Sequence, residues 1–134
     1  MPMNPEIKSK WLAALRSGEY EQARGSLQRE RSRDFQTGQI QFGFCCLGVL
    51  CDLAAQEDVC WWQGFGAITS TSEGLRFDDE ALPPAVMDWA GLEDADPQVA
   101  VVVEEEEQVE TLSKLNDSYK FDFNRIASLI EEHL

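Results

Sequence analysis

Cysteine is the most concentrated reactive residue in this sequence. Three of the four cysteines lie within seven positions of the segment FGFCCLGVLCDLAA, residues 42–55. Together the four have the spacing C-C-x4-C-x8-C, whereas zinc sites usually combine pairs such as C-x2-C. On a helix, Cys46 and Cys51 point in directions roughly 140° apart, so they cannot easily share a metal ion. The spacing therefore predicts cysteines of a buried helix, with no metal site and no cofactor.

A cysteine nucleophile is the enzymatic alternative. If a helix begins at Cys45, then Cys45 or Cys46 lies at its N-terminus, a position that lowers a thiol pKa. The single histidine, His133, is the penultimate residue and a poor position for a general base. No P-loop, G-x-S-x-G or H-E-x-x-H motif occurs. We therefore expect a protein without catalytic residues, with a cysteine-dependent enzyme as an alternative.

The charge is unevenly distributed along the chain. The net charge is −14, made up of +3 on residues 1–33 and −17 on residues 34–134. Because nucleic-acid affinity comes largely from Lys and Arg on phosphates, direct binding to DNA or RNA is disfavoured. A protein partner with a basic surface is electrostatically favoured, although acidity also simply increases solubility.

The strongest acidic motif is the run VVVEEEEQVE, which contains Glu104, Glu105, Glu106 and Glu107. Four consecutive glutamates repel one another and are expected to be solvated. They form either an ordinary exposed turn or a surface that mimics phosphates and binds a basic groove. With Asp78 and Asp79 of the segment FDDEAL, they could form one wide acidic face.

An arginine-rich segment, RGSLQRERSR, precedes the cysteines. On a strand, Arg29, Arg31 and Arg33 would share one face, because side chains alternate with period two. Such a row suits a phosphate or carboxylate, either on a small nucleotide held between protomers of a homo-oligomer or on a neighbouring subunit. Trp61 and Trp62 could stack on a base, although at this spacing they also suit a core. The alternative without a ligand is a solvated strand face whose charges limit edge-to-edge aggregation.

Periodicity and turn signals predict an α+β fold in a single domain, residues 1–134. The N-terminal helix has Asn4 as its cap and Gly18 as its stop, and Asp122 caps a C-terminal helix. The remaining predicted elements are a hairpin (26–34 and 39–44), a central buried helix (45–56), a second hairpin (60–67 and 74–77), a short helix from Pro84 to Gly91, a strand PQVAVVV, and EEEEQVETL as a second strand or a helix start.

Neither a membrane-spanning segment nor a signal peptide is expected. No apolar run approaches the ~20 residues that cross a bilayer, and the first residues, MPMNPEIKSKW, lack an apolar core. We therefore expect a cytoplasmic protein with reduced thiols.

Four blocks of the sequence resemble a family of small uncharacterised proteins common in bacteriophage and prophage genomes. They are KWLAALRSGEYEQARGSL, FCCLGVLCDLAA, LPPAVMDWAGL and TLSKLNDSYKFDFNRIASLIEEHL. The chain departs from this family in its longer arginine hairpin (28–41) and its EEEE insertion. The resemblance implies a phage accessory protein in the cytoplasm of a bacterial host, where inhibitors of host and defence components are frequent. We therefore expect an acidic inhibitor of such a component, with a sponge for a nucleotide immune signal as the alternative.

Overall fold

The computed structural model describes residues 3–134 and, within them, contains five helices and eight strands in three small sheets. The predicted α+β class is confirmed. The elements are α1 (Pro5–Arg16), β1 (Glu21–Gln22), β2 (Gln28–Arg33), β3 (Ile40–Phe44), α2 (Cys46–Gln56), β4 (Trp61–Gln63), β5 (Gly66–Thr71), β6 (Gly74–Asp78), α3 (Pro84–Ala90), β7 (Gln98–Val103), β8 (Glu106–Thr111), α4 (Leu112–Asp117) and α5 (Phe123–His133).

The N-terminal helix begins where its local signals predict. The Asn4 side chain accepts hydrogen bonds from the backbone N–H groups of Glu6 and Ile7, so two of the unpaired amides of the first turn are satisfied. The fully buried Trp11 donates its indole N–H to the carbonyl of Cys46 at 3.0 Å. This bond fixes α1 against the start of α2.

The central helix α2 is buried from Cys46 to Cys51, as predicted. Gly48 permits this burial, because a Cβ at that position would lie 1.8 Å from the carbonyl oxygen of Leu27. The loop before β2 therefore crosses directly over the helix backbone. That close approach places β2 and β3 beside α2.

Asn116 in α4 joins three parts of the chain that are distant in sequence. It is fully buried, and its side-chain oxygen accepts from the Gln22 amide at 2.7 Å and from the Cys46 N–H at 3.3 Å. Its amide donates to the Ala23 carbonyl at 2.8 Å. A single satisfied polar group thus ties β1, α2 and α4 together. Neither β1 nor α4 was predicted.

The three sheets are small and mostly antiparallel. The predicted first hairpin is confirmed as β2–β3, and β1 adds to β3 in parallel. The second hairpin was predicted as two strands, which is wrong, because the chain turns at Gly64 (φ 61°) and forms a three-stranded meander in the order β4-β5-β6. Strands β7 and β8 form the third sheet, and α5 packs against β7.

Candidate functional site

The glutamate run forms the tip and one strand of a hairpin, which we call the acidic hairpin (β7, β8 and the turn between them). Val103 pairs with Glu106, so only Glu104 and Glu105 connect the strands. Both have positive φ, 52° and 71°, as a two-residue type I′ turn requires. That turn strongly prefers Asn-Gly, because other L-residues are strained in the left-handed region.

The four glutamates of this hairpin carry uncompensated charge. Glu104, Glu105, Glu106 and Glu107 are all exposed, and over residues 3–134 none of them forms an ion pair. The lysine that follows on α4, Lys114, pairs instead with Glu110 at 3.4 Å. A second cation that the structure places at this hairpin, Arg125, binds the backbone carbonyl of Val102 at 3.4 Å and not a glutamate, so mutual repulsion between the carboxylates is screened mainly by water and salt.

A cleft of about 440 Å³ lies between the acidic hairpin and the end of α5. Val102 pairs with Glu107 and Val109 pairs with Ala100, so these side chains share one face of the hairpin. Val102 is 52% exposed and Val109 is 61% exposed. The lining residues are Ala100, Val101, Val102, Glu107, Gln108, Val109, Leu129, Glu132 and His133. An apolar floor with two carboxylates at its rim suits an aliphatic stem that ends in a cation, as in Arg and Lys.

Asp78 and Asp79 lie apart from this site. They follow β6 in a different sheet, and the Asp78 side chain is only 16% exposed. The Arg76 guanidinium binds Asp78 at 2.9 Å, which neutralises its charge. Of the residues predicted for the wide acidic face, only the four glutamates therefore lie on one hairpin, while Asp78 is paired with Arg76 and Asp79 follows β6 of another sheet.

The arginine row predicted on β2 is interrupted by a β-bulge. Arg29 pairs with Gly43 and Arg33 pairs with Ile40, while the register shifts between Glu30 and Ser32. Gly43 and Ile40 are three residues apart, so their partners point to opposite faces. The prediction that Arg29, Arg31 and Arg33 share one face is wrong: Arg33 lies on the other side, where it binds Glu30 at 3.0 Å.

The two tryptophans also lie on opposite faces of their strand. Trp62 is half-buried, packs on Phe44 and donates its indole N–H to Asp52 at 2.9 Å. Tyr20 donates its hydroxyl to the same carboxylate at 2.6 Å, and burial together with Asp52 raises the pKa of Tyr20. Phe44, on which Trp62 packs, and Gly43, which pairs with Arg29, are neighbours in β3 and face opposite ways, so Trp62 and Arg29 lie on opposite faces of the sheet. The residues predicted to hold a nucleotide (Arg29, Arg31, Arg33, Trp61 and Trp62) thus do not form one site.

Sequence reasoning missed an exposed apolar patch on the meander. Trp61, Ile68 and Phe77 pair in a row across β4, β5 and β6, and Phe65 contacts the Phe77 ring edge-on. Trp61 is 44% exposed and Leu75 is 72% exposed. The period-two spacing of Leu75 and Phe77 was the available signal.

All four cysteines are free and buried. Cys45 caps α2, where its sulfur accepts the N–H of Gly48 at 3.3 Å. Burial raises the pKa of Cys45 from its ordinary value of 9.0 to about 12, and that of Cys60 to about 11. The helix terminus was expected to lower a thiol pKa; desolvation outweighs it. No three His, Cys, Asp or Glu side chains in the described part of the chain are grouped so that they could hold a metal ion.

Comparison with known proteins then assigns a family. Residues 3–134 match the profile of a domain of unknown function, DUF8296. The chain belongs to the DUF8296 family. Neither a curated protein nor a solved structure gives a significant match.

The DUF8296 match includes the acidic hairpin, the arginine hairpin and the cysteine-bearing helix α2. Across residues 3–134, no helix has both the length and the apolar character needed to cross a membrane.

Proposed function

We propose that this DUF8296 protein is a non-enzymatic, phage-type accessory protein that binds and inhibits a bacterial host or defence component through its acidic hairpin. The observation that carries the proposal is the set of four adjacent, exposed glutamates (104–107) without ion pairs in residues 3–134. The phage setting rests on the sequence resemblance alone.

The acidic hairpin holds glutamate where other residues would be more stable. A left-handed L-residue costs about 1–2 kcal/mol, and both Glu104 and Glu105 are left-handed. Repulsion between neighbouring carboxylates adds to this cost at low salt. Strain of this kind clusters at functional sites, and here it supports a role for the carboxylates in binding.

The adjoining cleft supports a partner that is basic rather than merely polar. A lysine or arginine side chain would bury its stem against Val102 and Val109 and place its cation between Glu107 and Glu132. The net charge of −14 would accelerate encounter with a positively charged surface, for example one that normally holds nucleic acid.

Capture from a bacterial lysate tests the proposal. The full-length protein is immobilised beside a variant with all four glutamates (104–107) changed to Gln. The control variant also removes four negative charges from exposed sites elsewhere, through Glu19→Gln, Glu73→Gln, Glu80→Gln and Asp94→Asn. Bound proteins are identified by mass spectrometry and eluted with roughly 0.5 M salt, at which the Debye length is below about 8 Å.

We expect the wild type and the control to retain the same basic protein, and the hairpin variant to lose it. Retention by the hairpin variant, or equal loss from the control, would contradict docking through the acidic hairpin. Absence of any protein that distinguishes wild type from hairpin variant would contradict it too.

Inhibition is tested separately, by expressing each protein in bacterial strains that carry anti-phage defence systems. We expect the wild type to restore phage plating in at least one strain, and the hairpin variant to fail there. Plating restored equally by both proteins would separate inhibition from the acidic hairpin.

A further inference from the structure

Three arginines converge on one cleft beside β1, on the face of the arginine hairpin that carries Gly43. The cleft has a volume of about 330 Å³ and is lined by Ala23, Arg24, Arg29, Glu30 and Arg31. Arg33 is excluded by the β-bulge, and Arg24 takes its place from the preceding loop. We call this site the arginine cleft.

Two of these arginines are held in place without being neutralised. Arg24 donates its Nε–H to the Asn116 carbonyl at 3.1 Å, and Arg29 donates from Nη1 to the Arg24 carbonyl at 3.0 Å. Over residues 3–134 neither forms an ion pair, whereas Arg16, Arg33 and Arg76 all bind carboxylates. Arg24 and Arg29 are both exposed, and in a chain of net charge −14 two neighbouring guanidinium groups without ion pairs favour an external anion.

The bulge also removes the acid that would otherwise neutralise this cleft. Glu30 borders the cleft, but its carboxylate is bound by both Nε and Nη2 of Arg33 on the opposite face. The stem of Arg31 lies against Gly43 in β3, so closely that a Cβ on Gly43 would come within 2.8 Å of it. Arg31 faces Glu21 at 3.6 Å, which leaves Arg24 and Arg29 as the anion-binding pair.

We propose that the arginine cleft binds the phosphate group of a small molecule. Each guanidinium has five N–H donors, and Arg24 and Arg29 each spend one on a carbonyl, so paired donors are available for a tetrahedral oxyanion. A volume of about 330 Å³ lies at the small end of ligand pockets, about 300–1,000 Å³. Because the lining contains no aromatic ring, the cleft recognises the phosphate and not a base.

Calorimetry at low ionic strength tests this site with inorganic phosphate, pyrophosphate, ribose 5-phosphate and AMP. The test variant is Arg29→Gln, which leaves the Arg24 bond to Asn116 in place. The matched control is Arg33→Gln, which removes the same charge three pairs further along β2 but on the opposite face. Urea midpoints confirm that both variants remain folded.

We expect pyrophosphate to bind, and Arg29→Gln to weaken it by about tenfold or more, the loss typical of a charged hydrogen bond. Arg33→Gln should change the affinity less than about twofold, since screening is strong at exposed sites. AMP and ribose 5-phosphate should bind equally well.

Three outcomes would overturn the assignment. They are no heat with any of the four probes, equal weakening by both variants, and a strong preference for AMP. Sedimentation provides a fourth: a dimer that disperses when residues 104–107 are changed to Gln would show that the acidic hairpin of a second copy fills the cleft. That result would show that the arginine cleft binds a second copy of the protein and not a small molecule.

Discussion

Replacing Glu104-Glu105 with Asn-Gly should stabilise the protein while weakening its binding. Both residues have positive φ, and relief of this strain is worth about 1–2 kcal/mol per residue before corrections. Asn retains part of the strain, and Gly lowers the free energy of unfolding by about 0.4–1 kcal/mol because it increases the entropy of the unfolded chain. We therefore expect a net gain of about 1–2 kcal/mol in the free energy of unfolding.

Urea denaturation measures this gain directly. With a slope of about 2 kcal/mol per M for a small domain, the midpoint should rise by roughly 0.5–1 M. The change should persist at high salt, because it is conformational. Capture of the basic partner should nevertheless fall, since two of the four carboxylates are absent.

The variant Glu106→Gln/Glu107→Gln is the matched control for charge. It removes the same two charges, but positions 106 and 107 lie in β8 outside the strained turn. Its gain should be a few tenths of a kcal/mol and should vanish at high salt. An equal rise in both variants, or no rise with Asn-Gly, would refute the argument from backbone strain.

Three further predictions concern the core. Helix propensity alone would predict that Gly48→Ala stabilises α2 by about 1 kcal/mol. Because a Cβ at this position would lie 1.8 Å from the Leu27 carbonyl oxygen, we expect instead a loss of about 3 kcal/mol or more, seen as a lower urea midpoint or as insoluble protein. A higher urea midpoint would contradict the close approach. Iodoacetamide at neutral pH should label the folded protein slowly, because burial raises the pKa of Cys45 to about 12. The protein unfolded in urea should be labelled rapidly. Fast labelling of the folded protein would contradict the buried position of the thiol. Because the folded thiols bind their protons more tightly than the unfolded ones (ordinary pKa 9.0), the urea midpoint should also fall as the pH rises above that value, and a midpoint that stays constant there would contradict the raised pKa.

Features decided within a few neighbouring residues were predictable from the sequence. The caps at Asn4 and Asp122 and the helix stop at Gly91 all occur where their side chains or backbone freedom favour them. The buried helix α2 was equally clear from its apolar residues. The short elements β1 and α4 were missed, because two and six residues carry too little periodicity.

The candidate sites were predictable in composition but not in arrangement. The bulge beside Arg31 depends on which residues of β3 pair with β2, and that single extra residue moves Arg33 to the other face. The rim of the cleft beside the acidic hairpin depends on Glu132, which follows Glu107 by 25 residues in the sequence and is brought to the hairpin by α5. The raised pKa of Cys45 depends on its burial under the surrounding elements, which its position at a helix terminus does not reveal.

The position of Asn116 has a consequence for how the chain matures on the ribosome. The first turn of α2 and the segment after β1 can form their hydrogen bonds to Asn116 only once that residue, about seventy positions after Cys46, has been synthesised. Helix α1 likewise packs against α5, which follows α4 in the chain. The nascent chain therefore carries its most apolar helix without a completed enclosure until α4 and α5 have been synthesised. We therefore expect a chain truncated before α4 to lack the contacts that Asn116 makes with Gln22, Cys46 and Ala23, and to be less stable.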